Sequence, residues 1–101
     1  MPKLVHIVMF QFREGVTATD VQTVGDMLRA LPQTIPQIVK YEFGPDAKTG
    51  FATHHYAVRG EFASVEDFTV YQKHDKHTEF VAFLKELVVD GSRAAVQMWV
   101  D

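Results

Sequence analysis

Cysteine is absent from the 101-residue chain, so disulfide frameworks, thiol nucleophiles and Cys-ligated zinc are excluded. Long apolar runs are lacking as well; the longest is only a few residues, too short to cross a bilayer. Basic charge is sparse and scattered: 10 Lys and Arg stand against 13 Asp and Glu, a formal net charge of −3. That pattern gives no electrostatic footprint for nucleic acid. Serine occurs only at Ser64 and Ser92, better explained as a helix cap and a turn than as nucleophiles. The glycines are isolated and form no phosphate cradle. No internal repeat, linker or low-complexity stretch divides the chain, and residues 1–101 read as one domain. Met1-Pro2-Lys3-Leu4 runs straight into a strand pattern rather than a signal peptide, and the expected location is cytoplasmic.

Aromatic residues are plentiful: eight Phe, three Tyr and one Trp can fill a core, line a pocket or seal an interface. Lys3 to Phe12 alternates Leu4, His6, Val8, Phe10 and Phe12 against Val5, Ile7, Met9 and Gln11. Both sets are largely apolar, the mark of a strand covered on both sides. Thr17 and Asp20 have capping-box spacing, and Val21, Val24, Leu28 and Leu31 follow at helical period until Pro32 and Pro36 close the element. Strands are expected at Ile38–Phe43 and His54–Phe62, the first ended by Gly44-Pro45-Asp46. Ser64 to Asp67 repeats the capping spacing before a short helix. A further helix carries Phe80, Phe83, Leu84 and Leu87 until Asp90-Gly91-Ser92 stops it, and Arg93–Val100 forms the last strand.

The order β-α-β-β-α-α-β is a ferredoxin-like α+β plan, a four-stranded antiparallel sheet with helices on one face. Since several strands are apolar on both faces, a second copy of the chain is the expected cover for the other, giving a dimeric α/β barrel.

Histidines 6, 54, 55, 74 and 77 are the titratable groups of interest. His6, among apolar strand-mates, is either a hydrogen-bonded core residue or a polar group in the wall of a cavity. Tyr71, His74 and His77 are spaced to share a helix face, where phenol and imidazole suit proton transfer. The alternative for His74 is a helix cap. Neither a metal nor a cofactor is expected. The zinc-protease His spacing is missing, and adjacent His54 and His55 point to opposite faces of a strand.

Three stretches, H-I-V-M-F-Q-F from His6, F-A-S-V-E-D-F-T-V-Y from Phe62 and H-D-K-H-T-E-F-V-A-F from His74, resemble the stress-responsive dimeric A/B barrel domain family. The similarity spans nearly the whole chain. It implies a homodimer with a pocket between sheet and helices in each subunit. The family includes plant stress-induced proteins, bacterial members without assigned activity and a plant polyketide cyclase that works by acid/base catalysis. Carried onto this sequence, the resemblance implies Tyr71 and His77 as the acid/base pair and His6, Val8, Phe10 and Val58 as pocket residues; Tyr56, at the strand-three position, and His74, from its spacing, are added as expected substrate-binding residues. Two positions depart from the family pattern: Asp75 stands where proline is usual, and Tyr56 where a strand-three histidine is common. Two functions therefore stand side by side. One is a cofactor-free cyclase- or lyase-like enzyme acting on a small apolar carbonyl compound. The other is a non-catalytic, stress-associated dimer whose histidines are structural and whose pocket is residual or stores a ligand.

Overall fold

The computed structural model describes residues 2–101. Its elements are β1 (Lys3–Phe10), α1 (Ala18–Thr34), β2 (Lys40–Pro45), β3 (Tyr56–Phe62), α2 (Val65–Lys73), α3 (Asp75–Lys85) and β4 (Ala94–Val100). The strands form one antiparallel sheet in the order β2-β3-β1-β4, the ferredoxin-like arrangement expected from the element order.

Register divides the sheet into two unlike faces. Leu4, His6, Val8 and Phe10 of β1 stand opposite Phe62, Gly60, Val58 and Tyr56 of β3. With Tyr41 and Phe43 of β2, they make the face under the helices. Helix α1 buries Val24, Leu28 and Leu31 there, α2 buries Phe68 and Tyr71, and α3 buries Phe80. The outer face carries Val5, Ile7, Met9, Val96 and Met98 at its β1–β4 side. Its β2–β3 side is polar, with Arg59 paired to Glu42 and Glu61. No helix covers this face, and β4 is exposed along most of its length.

Several boundaries differ from the sequence expectation, each for a local reason. Pro32 does not close α1, which runs on to Thr34. One lost N–H in the last turns is outweighed by burial of Leu31 and Ile35, whose own bond, Ile35 N–H to the Leu31 carbonyl at 2.8 Å, closes the helix. β2 is shifted to Lys40–Pro45, and Pro45 is tolerated because β2 is an edge strand. β1 ends at Phe10 because side chains take the next two amides: Gln11 N–H donates to Ser92 Oγ (3.1 Å) and Phe12 N–H to His55 Nδ1 (2.8 Å). His54 and His55 accordingly lie before β3, not in it. Helix α3 stops at Lys85, ahead of Asp90-Gly91-Ser92, because Val88 and Val89 turn back to pair with Phe12 and Gln11.

Gly60 is the tightest point of the inner face. A Cβ there would lie 3.1 Å from both the Tyr41 and the Phe62 rings. Gly60→Ala is therefore expected to destabilise the protein by about 1–3 kcal/mol through overpacking, read as a lowered urea midpoint. Unchanged stability would contradict this contact.

Candidate active site

The break between α2 and α3 builds the site. Tyr71 lies on the buried face of α2, against Phe62 at 4.9 Å between ring centroids. His74 then leaves helical geometry (ψ 138°), and its Nδ1 accepts from Lys76 N–H at 3.1 Å to start α3. The reversal brings His77 back over Tyr71, with 4.3 Å between ring centroids. Below them His6 projects from the middle of β1, 6.1 Å from the Tyr71 ring, and Tyr41 reaches across glycine 60. The Tyr41 and Tyr71 hydroxyls are 2.6 Å apart and share a hydrogen bond.

These groups surround a cavity of about 60 Å³ whose apolar wall is Val8, Phe10, Leu28, Val58, Phe80 and Leu84. His6, Tyr41, Tyr71 and His77 form its polar side, and Arg93 stands at its edge. A wider, shallower depression of about 300 Å³ lies beside the loop around Phe51, but His54 is its only histidine and Tyr56 its only tyrosine. It lacks the paired imidazole and phenol.

Burial and hydrogen bonding set the protonation states. Burial lowers the His6 pKa to about 4, with the nearby charges of Arg93 and His77 acting in the same direction. Gln97 Nε2 lies 2.9 Å from His6 Nδ1; an amide N–H donating there requires Nδ1 to be unprotonated and places the ring proton on Nε2. The pKa of His77 is also lowered, chiefly by burial, against an opposing bond to the Gln72 carbonyl. Because a carbonyl only accepts, His77 Nδ1 donates that 3.2 Å bond, and the neutral ring keeps its lone pair on Nε2. Burial raises the pKa of both phenols, that of Tyr41 well above its ordinary range, while on Tyr71 the bond from Tyr41 and the charge of Arg93 act in the opposite direction. At neutral pH the site thus joins an unprotonated imidazole to protonated phenols, the pairing that general acid/base work needs.

Of the residues expected at a site, the structure gathers His6, Val8, Phe10, Val58, Tyr71 and His77 around one cavity. Tyr56 and His74 lie elsewhere. Tyr56 stacks on Phe10 (5.5 Å, 10° between planes) with its hydroxyl toward Gly25 of α1. The His74 ring is occupied as a cap, and the helix break it makes, not the shared helix face expected from the spacing, brings Tyr71 and His77 together. Tyr41, Gln97 and Arg93 were not foreseen in this role. Tyr41 and Gln97 face the same side as His6 only once strand register is fixed, a pairing that spans 91 residues for Gln97 and His6. His54 and His55 bond to Ser92 O and Phe12 N–H and hold loops together. Among the described residues, no three His, Asp or Glu side chains converge as a metal site.

Residues 4–100 match the stress responsive A/B barrel domain. The chain belongs to that family. No curated protein matches it significantly. Among solved structures it is similar to two proteins at 29% identity, both described as dimeric ferredoxin-like proteins of unknown function. The one from Thermobifida fusca superposes with a TM-score of 0.88, covering 98% of this chain and 92% of that one. The one from Bacteroides fragilis gives 0.82, covering 97% and 96%. A hydroxynitrile lyase from Passiflora edulis shares the fold at a TM-score of 0.84 over 98% of this chain and 94% of its own, with 14% identity.

The state of His6 has a consequence for this A/B barrel's stability. In the folded protein the ring stays neutral down to a pH of about 4, whereas the unfolded ring takes a proton near its ordinary value of about 6.5. Below that value the unfolded state binds more protons, so stability is full above about pH 6.5 and falls as pH drops toward 4. Allowing for solvent screening, His6 accounts for about 1–3 kcal/mol of that fall. His6→Gln should flatten the curve of unfolding midpoint against pH in this window; an unchanged slope would contradict the assignment.

Proposed function

We propose that this protein is a homodimeric small-molecule-binding barrel that performs cyclase- or lyase-like acid/base chemistry on a small carbonyl compound, with His77 as base and Tyr71 as acid. The observation that carries this reading is the contact between Tyr71 and His77, 4.3 Å between centroids, on the polar side of a cavity whose opposite wall is apolar. His77 Nε2 takes a proton from the carbon beside a carbonyl group. The developing enolate oxygen accepts a hydrogen bond from the Tyr71 hydroxyl, supported by Tyr41 2.6 Å behind it. In a condensation, the enolate carbon attacks a second carbonyl carbon and the new alkoxide takes the Tyr71 proton. The proton held by His77 then returns to the phenolate. Val8, Phe10 and Val58 hold the substrate folded against these groups, so positioning supplies part of the rate. A hydroxynitrile lyase from Passiflora edulis with the same fold supports this reading.

The size of the cavity, about 60 Å³, favours a second reading, a stress-associated dimer that holds a small ligand without transforming it. Exchange of protons beside the carbonyl of small ketones into deuterated water, followed by proton NMR, separates the two. Wild-type protein should accelerate exchange for at least one ketone, and His77→Ala or Tyr71→Phe should slow it by about 10²–10⁴-fold while remaining folded. Binding without exchange in wild type would establish the second reading.

Dimerisation is supported by the relatives described as dimeric and by β4, whose Val96, Met98 and Trp99 are all exposed in the single chain. Val96 and Met98 continue the uncovered apolar stripe of β1. Met98→Lys should convert a dimer into a monomer in sedimentation analysis. A dimer unaffected by this change would place the interface elsewhere.

A further inference from the structure

Arg93 stands out among the four arginines of the chain. Arg13 pairs with Asp90, Arg29 with Asp26, and Arg59 with Glu42 and Glu61. No acidic partner is found for Arg93 among the described residues. The side chain instead lines the cavity, and no Asp or Glu lines it with Arg93. In a chain of net charge −3, this guanidinium, without an acidic partner among the described residues, is an exposed group that lines the cavity. It precedes β4 on the same side of the strand as Gln97, the residue bonded to His6, and it is exposed at the rim rather than buried in the apolar end.

We propose that Arg93 is an anion-recognition residue at the mouth of the cavity and that the ligand is a short oxo-carboxylate, its carboxylate held by the guanidinium and its carbonyl by Tyr71 and His77. The inference rests on the reading of the cavity as a carbonyl site and narrows it to one substrate class. Two further observations fit. At about 60 Å³, a few times the roughly 10–15 Å³ a cavity needs to admit one water, the cavity has room for only a few non-hydrogen atoms. That is enough for the carbonyl end of a short acid whose carboxylate remains at the rim. Planar guanidinium also matches carboxylate through two parallel hydrogen bonds, so a rim arginine selects an acid over its neutral ester. Binding has a chemical consequence as well. The Arg93 charge depresses the proton affinity of His6 and His77, and a bound carboxylate offsets that charge. His77 then becomes a stronger base when the ligand is in place.

The test compares levulinate (4-oxopentanoate), its methyl ester and 2-pentanone by calorimetric titration of wild type, Arg93→Gln and Tyr71→Phe, with inorganic phosphate as competitor. Levulinate should bind wild type at least about tenfold more tightly than the ester. Arg93→Gln should abolish that preference by weakening levulinate far more than the ester, and Tyr71→Phe should weaken all three ligands. Equal affinity for acid and ester in wild type, or a preference that survives Arg93→Gln, would overturn the proposal. If Tyr71→Phe still weakened ketone binding in that case, the carbonyl reading would stand alone. Phosphate competing as well as levulinate would overturn the carboxylate assignment in favour of a phosphate site. Binding of none of the three carbonyl compounds would overturn both readings together.

Discussion

The reversal of the chain at His74 is the constraint on which the candidate site depends. His74 ends α2, its N–H donating to the Tyr71 carbonyl at 3.3 Å, and its imidazole begins α3 by capping Lys76. Were α2 and α3 one continuous helix, residues 71 and 77 would lie more than one and a half turns apart, on largely opposed faces. The break instead folds His77 over Tyr71 and leaves Phe80 to pack against α1 and the sheet. One residue that looks chemical in the sequence is thus structural, and its structural role creates the juxtaposition of Tyr71 and His77.

Enclosure then does the electrostatic work. The cavity brings two imidazoles and two phenols together with no carboxylate to stabilise a charged imidazolium. Desolvation therefore pushes the imidazoles toward their neutral form and the phenols toward theirs. The hydrogen bonds distinguish otherwise similar groups. Gln97 directs the proton of His6 to Nε2, while the Gln72 carbonyl directs that of His77 to Nδ1. Of the two phenols, Tyr71 contacts His77 and Tyr41 stands behind it. Gly60 makes this arrangement possible, because any side chain there would press on the Tyr41 ring.

Much of the fold was legible because apolar period and capping residues report local structure directly. Thr17 and Asp20 form the complete capping box that their spacing implies, and Ser64 caps α2. Boundaries set by tertiary contacts were not legible. Pro32 reads as a stop, yet burial of Leu31 and Ile35 carries the helix past it. Asp90-Gly91 reads as the end of α3, yet Val88 and Val89 leave the helix early to meet β1. The same division runs through the site. Tyr71 and His77 could be paired from spacing and resemblance, and His6 from its place on β1. Tyr41, Gln97 and Arg93 needed strand register and the closing of the sheet by β4, which no local pattern encodes. Tyr56, on the expected face of β3, is drawn away by stacking on Phe10.

The central claim is that His77 is a neutral imidazole, packed against the Tyr71 ring, whose Nε2 is free to accept a proton. Nitrogen-15 NMR of the histidine rings at pH 7 tests it most directly, because the two ring nitrogens of a neutral imidazole differ widely in chemical shift when one is protonated and the other is not. The account predicts His77 protonated on Nδ1 and His6 on Nε2, opposite tautomers in one cavity. A His77 ring carrying its proton on Nε2, or charged at pH 7, would contradict it.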